Sequence, residues 1–239
     1  MPRSPGAQLL HSVLVACESP AVEIEQAHVR YAQLLARLET HTLIPATPLV
    51  RARRIHAFLH AEVLRGEYAA TASDLATTLQ GGPYNCAGAC ALFLALARDC
   101  DLSACAVSVS GHVWCAVETA EGAYHVEMTC PDWFNLAAGP GVSAAAPSTE
   151  TAAFWTDHSR RVADGRRLND RQFAAIFPFN RGVGLLREGE YSAAVVANLA
   201  ALARDCQSTA ARDNLAAALT GWTDGATVRR PSVASDRSR

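Results

Sequence analysis

The sequence predicts an α+β fold, and three observations predict it. Residues 20–98 repeat their apolar positions at helical spacing and end in a helix that is apolar almost all round. Residues 104–129 then switch to strand-like runs separated by short turns. From residue 153 to 222 the helical spacing returns. Helices first, a cluster of antiparallel strands next and helices again is the order of an α+β chain.

The elements follow in chain order. Leu9–Ala16 is a short apolar stretch interrupted by His11 and Ser12. It has no strong basic flank and no clear cleavage site, so it does not read as a signal peptide. No apolar run reaches the length needed to span a bilayer. The chain is therefore expected to be cytoplasmic and to have no membrane partner. Residues 20–39 place Ile24, Ala27, Tyr31, Leu34, Leu35 and Leu38 on one face, behind the Ser19-Pro20 start signal. A second helix is expected over 49–65 and a short one over 73–79, after which Gly81-Gly82-Pro83 breaks the chain. Asn85 is the expected N-cap of a third major helix running from Cys86 to about Arg98. Three strands follow, ACAVSVS, HVWCAVET and AYHVEMT, the last two joined by a hairpin at Thr119–Gly122. The expected division is an N-terminal helical segment (1–45), a core (46–136), a linker rich in small residues (137–152), a C-terminal helical region (153–222) and a disordered tail (223–239).

Composition removes several function classes. Half of the 239 residues are hydrophobic and the net charge is −2, with no basic block that would mark a nucleic-acid partner. Every basic side chain apart from histidine is arginine, because the chain has no lysine. Schiff-base and lysine-base chemistry are thereby excluded. In a reducing compartment the eight cysteines read mostly as small core residues.

Cys86 differs from the other thiols. It sits at a helix start, where the helix dipole favours a thiolate. His112 opens a later strand and Glu127 lies on the strand after that. If Glu118 pairs with Ala123 across the hairpin, Trp114 faces Glu127, and Glu127 shares a face with His112. The diagonal between them is then roughly 7–8 Å between Cα atoms, within reach of a long carboxylate. A one-residue slip of that turn would send Glu127 to the other face. The set Cys86, His112 and Glu127 therefore reads as nucleophile, base and orienting acid. His125 is the competing histidine, on Glu127's face and strand. The Cys86 backbone N–H is the natural first oxyanion donor, and Trp114 reads equally as a wall of the site, an indole N–H donor or a core aromatic. A zinc reading of Cys86, Cys90, His112 and Cys130 lacks a Cys-x-x-Cys pair, so neither metal nor cofactor is expected.

The run from Asn85-Cys86 through Gly111-His112 to Glu127-Met128-Thr129 resembles the transglutaminase-like core of the papain-like cysteine superfamily. It is more closely similar to the bacterial SirB family, whose helical N-terminal part and C-terminal tetratricopeptide-like repeats correspond here to about residue 10 onward and to Phe179–Trp222. The resemblance implies a buried helix on an antiparallel sheet and a cysteine-dependent acyl transfer. It also implies Gln80 as a second oxyanion donor, by papain-like spacing. The superfamily usually has Asp before Pro-Thr, where this chain has Glu127-Met128-Thr129, and Tyr84-Asn85 replace the usual residues before the cysteine. The implied substrate is a peptide, amide or thioester, with either water or an amine as acceptor. The alternative is an inactive scaffold of this fold that binds a protein or peptide partner. The C-terminal helices have the Gly-Glu-Tyr turn and small-residue spacing of about one and a half repeats. They read either as packing for the core or as a groove for such a partner.

Overall fold

The computed structural model describes residues 3–42, 46–132, 134 and 165–228. The expected linker and the chain beyond residue 228 lie outside the described residues.

Five helices precede the sheet: α1 (Pro5–Ala16), α2 (Ala21–Thr42), α3 (Pro48–Glu62), α4 (Leu75–Leu79) and α5 (Cys86–Asp99). The apolar stretch near the N-terminus is core, with Leu9, Leu10, Val13 and Leu14 buried along α1. Ser4 caps that helix through the Ala7 N–H, and Pro5 occupies its first turn. Residues Ala87 to Ala97 of α5 are all buried, as befits a helix apolar on every side. It packs against α1, α3 and the sheet. Gly6 permits the close approach of α1, since a Cβ there would strike the Ala95 carbonyl oxygen and the Tyr31 hydroxyl.

Asp99, at the end of α5, ties this layer together. Its carboxylate accepts from the Ser4 hydroxyl at 2.6 Å, the Gly6 N–H at 2.7 Å and the Tyr31 hydroxyl at 2.7 Å. Asp99→Ala leaves three donors on α1 and α2 without their acceptor. The expected cost is about 3 kcal/mol, read as a lower urea midpoint with an unchanged slope.

The sheet is antiparallel, in the order β3-β2-β1-β4. Its strands are β1 (Ala104–Val109), β2 (His112–Thr119), β3 (Gly122–Val126) and β4 (Arg166–Leu168). Val113, Cys115 and Val117 join the main core on the α5 side, while Trp114 and Ala116 pack with Val107 on the opposite face. The β2–β3 register pairs Glu118 with Ala123, and Thr119 with Gly122 closes the turn. Fully helical chain after the linker is corrected by β4, which pairs with β1 through Ala106↔Leu168. Three residues, two of them arginine, are too few to display an alternating period, and pairing with β1 supplies their conformation.

Among the described residues, the helices after the sheet are α6 (Asp170–Ala174), α7 (Ile176–Arg187), α8 (Tyr191–Arg204) and α9 (Thr209–Val228). Ala194, Val195 and Ala218 form a small core among the last three, flanked by Leu185, Leu186 and Leu215. Gly189 makes the α7–α8 turn at φ +75°. Residues 223–228, expected in a disordered tail, belong to α9, which runs on to Val228. Arg166 on β4 pairs with the buried carboxylate of Asp205, fastening the sheet edge to the α8–α9 junction. Among the described residues, no helix is long and apolar enough to cross a membrane.

Candidate functional site

The first turn of α5 lies over the start of β2. The Cys90 thiol contacts the Val113 carbonyl oxygen at 3.5 Å. Cys86 is one helical turn earlier than Cys90, and His112 is one residue earlier than Val113, so the same packing carries Cys86 to His112. Asn85 fixes the helix start, its side-chain oxygen accepting the Gly88 N–H at 2.9 Å. Cys90 is thereby a packing residue, and Asn85 is the expected N-cap.

His112 begins β2 after the tight Ser110–Gly111 turn, in which Gly111 adopts φ +76°. Its Nε2 meets Glu127 Oε2 at 2.6 Å. The observed register extends to place Glu127 opposite Trp114, which puts it on His112's face. Its other oxygen, Oε1, accepts from the Thr129 N–H at 2.9 Å and the Thr129 hydroxyl at 2.7 Å. His56 on α3 holds the same segment from behind, its Nε2 donating to the Glu127 carbonyl oxygen at 3.1 Å.

With Nε2 committed to Glu127, Nδ1 is the ring nitrogen left to face the Cys86 side chain, with which His112 is hydrogen-bonded. Burial lowers the His112 pKa, but the Cys86 and Glu127 hydrogen bonds outweigh it and push it up to about 10. Burial acts to raise the Glu127 pKa. The hydrogen bonds and charge of His112, with both Thr129 donors, outweigh it and hold the carboxyl below its usual range. The His112 side chain is 24% exposed and that of Glu127 only 3%, so the imidazole has one open side and one closed side.

The other expected site residues lie elsewhere. Trp114 is fully buried and donates its indole N–H to His125 Nδ1 at 2.7 Å. It is thus no oxyanion donor; its ring supports His112 from 6.0 Å between centroids. His125 is taken up by that bond, and burial lowers its pKa so that it stays a neutral acceptor. Gln80 is exposed, ends α4 as its C-cap and does not line the cavity beside Cys86. Both proposals for a second donor rested on residue type and spacing, which do not disclose where a side chain's hydrogen bond is already spent.

Tyr68 has no signal in the sequence beyond its place in a loop. Its hydroxyl is hydrogen-bonded to both the Cys86 side chain and the Cys86 backbone, and burial together with Cys86 pushes its pKa up to about 12. The ring is 45% exposed and rests edge-on against Tyr84. His56 also escaped the sequence reading as a partner of Glu127, since a contact across the fold has no local pattern, whereas Thr129 lies only two residues from Glu127.

A cavity of about 420 Å³ opens beside Cys86 and His112. One wall is the β1–β2 turn, another is Leu168 of β4, and the far wall is α7. Among the described residues, no group of three or more His, Cys, Asp or Glu side chains is placed to hold a metal ion. No protein-family model matches the chain, and no curated protein or solved structure is significantly similar to it.

Proposed function

We propose that the protein is a cysteine-dependent acyl-transfer enzyme with a transglutaminase-like core, acting on an amide or thioester. The observation that carries this reading is His112 bonded on one side to Cys86 and on the other to a buried, fully partnered Glu127. A protonated imidazole beside a thiol favours the thiolate, the nucleophilic form. The thiolate attacks the carbonyl carbon; a C–S bond forms and the carbonyl electron pair moves onto oxygen. Collapse of that adduct breaks the C–N or C–S bond of the substrate, and the leaving group takes the proton from His112. Water or an amine then attacks the thioester, gives its proton to His112 and releases Cys86. Glu127 keeps the imidazole in one tautomer throughout.

The Cys86 N–H at the start of α5 is suited to receive the oxyanion. Tyr68 now stands on that group, so a substrate carbonyl reaches it as the Tyr68 hydroxyl moves aside. Tyr68 is 45% exposed, which leaves room for that movement. The C-terminal helices read as tetratricopeptide-like, and the location as cytoplasmic.

Iodoacetamide alkylation across pH, read thiol by thiol by peptide mass, tests the proposal. Burial pushes the Cys100 thiol up to about 11 and Cys17 up to about 12, so both stay protonated and slow through the neutral range. Cys86 is expected to react well before them at pH 7, and His112→Ala is expected to remove that lead, because His112 holds its proton up to about 10 beside the thiol. The sign for stability follows the same shift. The His112 pair stabilises the fold fully below the ordinary imidazole value of 6.5, and that contribution is lost as pH rises through about 10. A Cys86 that reacts no faster than the buried thiols, whether or not His112 is present, would remove the proposal.

A further inference from the structure

The helix α7 carries two apolar faces, and only one of them is fully buried. Phe177 is buried against Phe173, with their ring centroids 5.8 Å apart. Ile176, Phe179 and Val183 repeat at helical spacing on another side, are only partly buried, and line the cavity that contains Cys86 and His112. Leu168 and Val109 face the same space from the sheet. From these we infer that the cavity is the binding site for a bulky apolar side chain of a peptide substrate, next to the bond that Cys86 attacks. This assignment rests on the acyl-transfer reading of Cys86 and narrows it.

Charge, size and rim chemistry favour this occupant. Arg166 lines the cavity but its guanidinium is committed to Asp205, so that part of the wall calls for no anionic group. The other lining arginine, Arg187, is on the exposed side. A cavity of about 420 Å³ lies within the range of small-ligand sites and takes one large side chain with its flanking backbone. The exposed Ser110–Gly111 turn stands at the rim beside His112 and presents peptide groups that an extended substrate backbone can pair with. A simple fatty-acyl chain would leave those polar groups unused. Phe179 and Val183 are then specificity-determining residues, since they touch the side chain and not the reacting atoms.

The test compares chloromethyl ketones on the full chain, each alkylating Cys86 with loss of chloride. N-acetyl-phenylalanyl chloromethyl ketone is expected to label Cys86 at least about tenfold faster than the glycyl analogue. Val183→Trp, which fills the cavity, and Phe179→Ala, which removes its largest apolar wall, are each expected to bring that ratio below about threefold. Iodoacetamide, too small to use the cavity, is expected to label Cys86 at the same rate in all three proteins, which also reports that each variant is folded. Equal rates for the two peptidyl probes, or a ratio unchanged in both variants, would overturn the substrate assignment while leaving Cys86 a nucleophile. A decanoyl chloromethyl ketone faster than the phenylalanyl probe would overturn it in favour of an acyl-chain substrate. Failure of iodoacetamide itself to prefer Cys86 would instead strike the acyl-transfer reading beneath it.

Discussion

Replacing Cys86 by alanine is expected to lower acyl transfer at least about ten-thousand-fold, to the level of binding and oxyanion contacts alone. The whole effect is chemical. Cys86 is partly exposed at the first position of α5, and the helix start is held by Asn85, which the substitution leaves in place. The fold loses one sulfur atom and its contacts to His112 and Tyr68, so the melting temperature should move by only a few degrees. Activity that falls together with stability would mean that the cysteine is a core residue. Activity that survives at more than about a hundredth of the parent rate would mean that the nucleophile lies elsewhere.

Glu127→Gln is the second large effect. The amide matches the carboxylate in size but gives up its charge. One of its two head-group atoms must serve Thr129, which offers two donors, and the amide oxygen suits that place. The NH₂ group then faces His112 Nε2, where the carboxylate had accepted a proton, and it favours the wrong imidazole tautomer. The expected loss is about a thousandfold in kcat, with KM little changed. A second readout separates this role from a merely structural one. Without the Glu127 charge, the His112 pKa should fall from about 10, and the His112 imidazole titration read by NMR should move down with it. Glu127→Asp, which keeps the charge on a shorter stem, should recover part of both. A His112 titration that stays in place in Glu127→Gln would show that the carboxylate does not set the state of His112.

The α+β class and the positions of α2 to α5 could be read from the sequence, because α2 and α3 carry an apolar face, Gly81-Gly82-Pro83 breaks the chain after α4, and Asn85 caps the continuously apolar α5. The hairpin was legible for a different reason. Strand side chains alternate, so a single assumed pair, Glu118 with Ala123, was enough to place Glu127 on the face of His112, and that pair is the observed one. The helix α1 was recognised only as an apolar stretch, although Leu9, Leu10, Val13 and Leu14 are buried at helical spacing and Gln8, Ser12 and Val15 are exposed. β4 was invisible, as its three residues acquire their form from a neighbour distant in the chain. Within the site the limits have the same origin. His125 and Trp114 were candidates by residue type, and only the fold reveals that they satisfy each other. Tyr68 and His56 act through contacts that no local spacing announces, whereas Thr129 binds Glu127 from two residues away. The wall contributed by α7 could not be foreseen either, because an apolar stripe reads as core until the space in front of it is known.

The account stands or falls on a thioester forming at Cys86 with the help of His112. The direct measurement is to mix the protein with p-nitrophenyl acetate, quench within seconds and locate the acetyl group by peptide mass. The expected result is one acetyl group on Cys86, lost on further incubation, with formation slowed at least about a hundredfold in His112→Ala. Acetyl spread over several thiols including the exposed Cys206, or formed on Cys86 at the same rate without His112, would contradict it.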